Sequence, residues 1–288
     1  GNGNVQGKLR DYQEKLMKKV RKPVVAGYFY PGTRENLLKV LENFVNRQSI
    51  REECIAAICP HAGYVFSGST AGMVFSSIVI PETVIILGPN HGGYGEPYAM
   101  AEADCWSTPL GETVLNREIS DRLKKESRYL QYDDIAHREE HSIEVQLPFI
   151  QFLNPEASIV PISLSGQMEN PAWVEIGEAI ARVVSGCGGT GKTIIVASSD
   201  MNHYESQQVT EEKDDYAIQA ILALDEDLLL ERISEKNISM CGYGPVITAI
   251  VAAKGLGAKE ALLVEHTTSG YKNRDYSQVV GYAGITIR

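Results

Sequence analysis

Three strongly apolar runs each end in a side chain able to bind a metal or move a proton. They are CIAAICP before His61, TVIILGPN before His91, and TIIVASS before Asp200, with His203 three residues further on. Short continuous apolar runs flanked by turn residues read as strands buried on both faces, the pattern of a parallel sheet covered by helices. In an open α/β sheet, ligands bind outside the carboxyl ends of the strands. Three neighbouring strands delivering His61, His91, Asp200 and His203 to one rim would therefore build a metal or catalytic site. Glycines follow both single histidines (Gly63, then Gly92 and Gly93) and allow the backbone to approach a ligand closely.

The remaining chain fits this frame. Apolar spacing predicts helices over 34–46, where Leu37, Leu38, Leu41, Phe44 and Val45 share a face, and over 69–78 with Ser69 as its cap. Further helices are expected over 116–126, 142–152, 172–185, 211–223, 226–236 and 245–254. Strands are expected at 54–59, 83–88, 158–164, 193–199, 261–266 and 278–287, with a short strand and loop over 96–111. Alternation of strand and helix without linker or repeat predicts one three-layer α/β/α sandwich over 22–288, with a largely parallel or mixed central sheet. A basic arm or helix at 1–21 would precede it.

At 288 residues, 43% hydrophobic and 22% charged, the chain can bury a sizeable core. Its net charge of −10 offers no footprint for nucleic acid or an anionic membrane, and no apolar run is long enough to span a bilayer. Five cysteines without disulfide-like spacing, and no charged-then-apolar leader, place the expected compartment in a reducing cytoplasm.

Residues 186–193, GCGGTGKT, match a phosphate-binding loop letter for letter. That motif needs a strand before it and a helix after it, so that the helix N-terminus meets the phosphates. Here the order is reversed, and a glycine-rich stop between helix and strand explains the run. Cys241 precedes Gly-Tyr-Gly-Pro245, and Pro245 suits the first turn of a helix. A cysteine just upstream of a helix N-terminus is expected to favour its thiolate, although one in that place is more often structural. His137 and His141 stand four apart, but His137 belongs to a loop, so shared ligation is not expected. His141 with Glu140 or Glu144 is a candidate pair for orienting a ligand or transferring a proton. His266, at the end of 261–266, either reaches the same rim or is an ordinary core histidine.

The segments PVVAGYFYP, CPHAGYVFSG, LGPNHGG, EEHSIEVQLPFI, ASSDMNHY and CGYGP, in this order, resemble the Memo family, from about Lys22 to the C-terminus. That family is similar in fold to the class III extradiol ring-cleavage dioxygenases. The resemblance implies that His61, His91 and Cys241 match the family's metal-binding residues, while Asp200 and His203 match positions lining the same pocket. It further implies iron or copper ahead of zinc, and redox chemistry. In animals the family is linked to phosphotyrosine peptides and cell motility. In bacteria and archaea it is linked to a radical-SAM protein and a companion.

The dioxygenases hold iron with two histidines and a carboxylate. A thiolate at the third position is softer and shifts preference toward copper(I), zinc or thiolate-ligated iron, so ring cleavage does not carry over directly.

These readings converge on a metal-dependent oxidoreductase-like protein acting on an unknown small molecule or peptide. His61, His91 and Cys241 are the expected ligands and His203 the general acid/base. Asp200 would orient His203 or a bound water, with His141 nearby. Two rivals stand beside it. One is a peptide- or phosphopeptide-binding module drawing on Lys272 and Arg274. The other is a zinc hydrolase.

Overall fold

The computed structural model describes residues 18–166 and 170–288. The first 17 residues, most of the expected arm, lie outside that range. Val20–Arg21 (β1) pairs with Cys105–Thr108 (β5), which in turn pairs with Gly111–Val114 (β6), in a small separate sheet.

Four parallel strands make the centre of the main sheet: Ala56–Cys59 (β2), Thr83–Pro89 (β3), Ser158–Leu164 (β8) and Thr193–Ser198 (β9). Their spatial order is β2-β9-β3-β8. Tyr98–Met100 (β4) adds antiparallel to β8 and carries Gln131–Tyr132 (β7). On the other side Val279–Ile287 (β12) runs antiparallel to β2, and both His203–Glu205 (β10) and Ala261–Thr268 (β11) pair with it. The expected mixed, largely parallel sheet is the one found.

Period-two geometry explains why the central runs are apolar throughout. Ala56 and Ile58, Ile85 and Leu87, and Ile195 and Ala197 face one helical layer, which includes Pro171–Gly186 (α5) and Tyr243–Gly255 (α8). Ala57 and Cys59, Val84 and Ile86, and Ile194 and Val196 face the opposite layer. That layer holds Arg34–Phe44 (α1), Tyr64–Ser77 (α2) and Leu147–Leu153 (α4). Arg117–Glu126 (α3), Gln207–Leu222 (α6), Glu226–Lys236 (α7) and the short Gly270–Asn273 (α9) complete the helices among the described residues. The 186–193 run connects α5 to β9, the reverse of a phosphate-binding loop.

Several helix boundaries differ from the sequence expectation: α6 begins at Gln207 rather than 211 and α8 at Tyr243 rather than 245, and two further cases carry a visible physical reason. Helix α2 begins at Tyr64, not Ser69, and Ser69 lies in its interior. No side chain caps it; the Tyr64 N–H instead donates to the Phe29 carbonyl at 2.7 Å, so a tertiary contact sets the start. The helix expected over 142–152 is a 3₁₀ turn at Glu144–Gln146 running into α4.

Buried Glu144 anchors the segment that follows β1. Its carboxylate accepts from Arg21 Nη1 (2.7 Å), the Val24 N–H (2.9 Å), the Val25 N–H (3.1 Å) and the Tyr30 hydroxyl (2.8 Å). Those bonds hold the turn that carries Phe29, and Phe29 reaches the cleft described next.

Candidate metal centre

The ends of β2, β3 and β9 open into a cleft of about 610 Å³, as the strand-end pattern requires. His61 follows β2, His91 follows β3, and Asp200 follows β9. Cys241 comes from the turn just before α8. Its approach depends on Gly242, where a Cβ would lie 2.4 Å from the Ser198 carbonyl oxygen. His61, His91 and Cys241 each offer one ligand atom, and these atoms lie within 4.8 Å of one another. His91, Glu140 and His141 form a second such group, sharing His91.

Hydrogen bonds fix what the two ligand-capable imidazoles present. Ser198 Oγ donates its single proton to the Ser142 carbonyl at 2.7 Å and accepts from Gln146 Nε2 at 2.9 Å. It can therefore only accept from His61 Nδ1, 2.9 Å away, which leaves His61 Nε2 bare. That nitrogen lies 3.2 Å from Cys241 Sγ. Glu140 plays the same part for His91: its carboxylate lies 2.9 Å from Nδ1 and accepts the His91 N–H at 2.7 Å. It also takes the N–H groups of His141 (3.0 Å) and Ser142 (2.8 Å). Two lone pairs and one sulfur thus converge, and that donor set suits a borderline or soft transition-metal ion.

Burial, followed by the neighbouring imidazoles of His91 and His141, holds His61 well below the ordinary histidine range. Burial works against protonation of His91 too, but there the bond and charge of Glu140 outweigh it and raise its pKa. Burial likewise opposes ionisation of Glu140, yet its bond to His91 keeps it below the usual carboxylate range. Asp200 is raised by burial, although its Oδ1 accepts the His61 N–H at 2.7 Å.

The thiolate expected at Cys241 is not favoured by the chain itself. Loss of hydration, and then the Asp200 carboxylate, push its thiol up. A bound cation would draw off this proton.

The other expected residues fall on different sides of this geometry. His141 stacks on His91 with ring centroids 4.8 Å apart and lies 4.7 Å from Phe29, forming one wall. Its partner is Glu140, at 3.7 Å, while Glu144 belongs to the Arg21 anchor. Burial lowers the pKa of His141. His203 lines the cleft, but Asp200 does not orient it by a hydrogen bond: His203 Nδ1 meets the Ser239 carbonyl at 2.8 Å. His266 is paired with buried Asp214 at 2.8 Å and does not line the cleft. His137 is buried against the Ala99 carbonyl at 3.0 Å, apart from both clusters.

Sequence reasoning missed Ser198, Gln146 and Ser239, the partners that set the imidazoles, and the aromatic lining of Phe29, Tyr204 and Tyr282. The consecutive serines before Asp200, at the end of an otherwise apolar strand, were the available signal for Ser198.

Fold and cleft together define a three-layer α/β/α protein with a His–His–Cys group able to hold a metal ion at its strand ends. A family model described as "Memo-like protein" matches residues 21–286, and the chain belongs to that family. A MEMO1 family protein of Methanococcoides burtonii is 42% identical over 271 residues, covering 93% of this chain and all of the relative. Another from Archaeoglobus fulgidus is 44% identical over 269 residues, with the same shares. An uncharacterized Escherichia coli K12 protein of known crystal structure superposes with a TM-score of 0.51 at 12% identity. It covers 79% of this chain and 98% of that one, a likeness of fold alone. Among the described residues no helix is long and apolar enough to cross a membrane.

Proposed function

We propose that this protein performs metal-dependent redox chemistry on a small molecule admitted to the cleft. The ion would be held by His61 Nε2, His91 Nε2 and Cys241 Sγ. The observation that carries this reading is the convergence of one ligand atom each from His61, His91 and Cys241, all within 4.8 Å of one another, in the cleft. A thiolate ligand beside two imidazoles suits copper, zinc or thiolate-ligated iron; the family resemblance favours iron or copper among these, and such an ion supplies electron transfer when bound.

The chain supplies the rest. Glu140 and Ser198 orient the two imidazoles, and Cys241 gives up its proton when the ion binds. Asp200 places a carboxylate 4.0 Å from His61 Nε2, balancing charge at the floor. Phe29, His141, Tyr204 and Tyr282 give the ligand apolar walls, and His203 moves a proton at the rim.

Among the described residues the lining contains no Lys or Arg, so they offer a phosphate group no cationic side chain there. Lys272 is turned to Ser69 Oγ at 3.1 Å, and neither it nor Arg274 lines the cleft.

Elemental analysis of the purified protein beside His61→Ala, His91→Ala and Cys241→Ser tests the reading. Loss of iron or copper in each variant is expected. Unchanged stoichiometry across all three ends it, and zinc alone would move the chemistry to hydrolysis.

A further inference from the structure

We infer that Asn202 and Ser239 are positioning residues that hold His203 with its proton on Nδ1 and its Nε2 bare, so that the resting imidazole takes a proton rather than gives one. The Ser239 carbonyl can only accept, and it lies 2.8 Å from His203 Nδ1, so Nδ1 carries the hydrogen. A second bond fixes the backbone beside the ring: the His203 N–H donates to Ser239 Oγ at 2.8 Å.

Ser239 is itself exposed and in a loop, so its carbonyl needs a support. Asn202 provides it. Asn202 Oδ1 accepts both the Ser239 N–H (3.0 Å) and the Ser239 hydroxyl (3.1 Å). The amide cannot be turned the other way, because its Nδ2 donates to Glu205 Oε2 at 2.7 Å. Asn202 is fully buried, and its own N–H donates to Asp214 Oδ1 at 2.9 Å. Asp214 is held in turn by His266, the histidine that the cleft does not use.

The strand is shaped for the same end. β10 pairs with β12 through His203 and Glu205 with an irregular step between them, and Tyr204 at the step has φ 60°. A side chain other than glycine in that region is held there by its surroundings, and bulges of this kind re-aim a neighbouring side chain. Here the neighbour is His203, and it lines the cleft.

Proton transfer then has one direction from rest. A bound O–H, N–H or S–H group passes its proton to His203 Nε2 and keeps the electron pair. The imidazolium retains its Nδ1–H bond to Ser239, and the anion left behind suits a cation at the floor. This use of His203 rests on the proposed metal reading, whereas the tautomer stands on the hydrogen bonds alone.

The test is the side-chain nitrogen spectrum of histidine-labelled, metal-free protein, recorded where the imidazole is neutral, with His203 identified by signal loss in His203→Gln. A protonated Nδ1 and a bare Nε2 are expected, with the pattern preserved in Ser239→Thr. In Asn202→Ala and in Ser239→Ala the His203 signals should move toward a mixture of tautomers. Ser239 is exposed, so its variants will fold even if Asn202→Ala does not. A native signal with the proton on Nε2 overturns the inference, as does a native pattern retained in Ser239→Ala. Because no metal is present, the failure of the metal reading would leave this result untouched.

Discussion

Replacing Ser198 by alanine removes one oxygen and disturbs three partners at once. Ser198 is fully buried, and its Oγ accepts from His61 Nδ1 and Gln146 Nε2 while donating to the Ser142 carbonyl. Gln146 Nε2 keeps a second acceptor, the Pro60 carbonyl at 2.9 Å, but His61 Nδ1–H loses the hydroxyl that fixes its tautomer. The ring is then free to place its proton on Nε2, where it competes directly with a metal ion. Loss of a partner that orients a metal-binding histidine typically lowers affinity by about 10–100-fold, or about 1.4–2.7 kcal/mol. The buried groups left without a partner should add about 1–3 kcal/mol of lost folding stability. The assay is competition between metal-free protein and a chromophoric chelator for the ion found in the native protein, beside urea unfolding of the metal-free forms. A tenfold or greater rise in Kd, with a measurable fall in unfolding midpoint, is expected. Native-like affinity in a variant that has lost stability would refute the claim that Ser198 sets the ligand form of His61.

Two further outcomes test the scaffold around the cleft. Glu144→Ala takes the carboxylate from the largely buried Arg21 guanidinium, leaving it only the His137 and Glu140 carbonyls, and frees the turn that carries Phe29, so it should cost about 3–5 kcal/mol in urea unfolding, and a loss under about 1 kcal/mol would contradict the anchor. Burial lowers the pKa of His137 from 6.5 to about 4, so this histidine stays neutral in the fold while the unfolded chain takes up its proton. Stability is therefore full above pH 6.5 and is lost progressively as pH falls toward 4, by about 3 kcal/mol in total at about 1.4 kcal/mol per pH unit. His137→Gln should flatten this part of the unfolding profile, and an equal slope in the variant would show that another group is responsible.

What the sequence makes legible here follows from chain geometry. His61, His91 and Asp200 could be read because each directly follows an apolar strand, and parallel strands end on a common side. Cys241 needed more than periodicity. It reaches the floor from the far end of the chain across Gly242, whose missing side chain permits the contact with the Ser198 carbonyl. The start of α2 was misplaced because local capping chemistry pointed to Ser69, while a backbone bond to Phe29 sets the real boundary. Of the two partners expected for Asp200, His203 or a bound water, the first makes no hydrogen bond to it, for a related reason. Asp200 turns back to the His61 N–H, and a loop residue 36 positions away takes its place beside His203.

The partners of the imidazoles were the least legible because they arrive across the fold, yet they decide what each ring can do. His61 meets a hydroxyl, His91 a carboxylate and His203 a carbonyl, and in every case the contact is to Nδ1. A neutral hydroxyl leaves His61 an ordinary donor at Nε2, while a full carboxylate behind His91 makes it the more basic of the two. The carbonyl behind His203 fixes a proton acceptor without adding net charge. On the proposed metal reading the three rings would respond differently to one cation: His91 would bind it most strongly, His61 would share it with the thiol 3.2 Å away, and His203 would stay free for the ligand's proton. The order of these roles comes from the acceptor behind each ring, so exchanging the acceptors should exchange the roles while the strands stay in place.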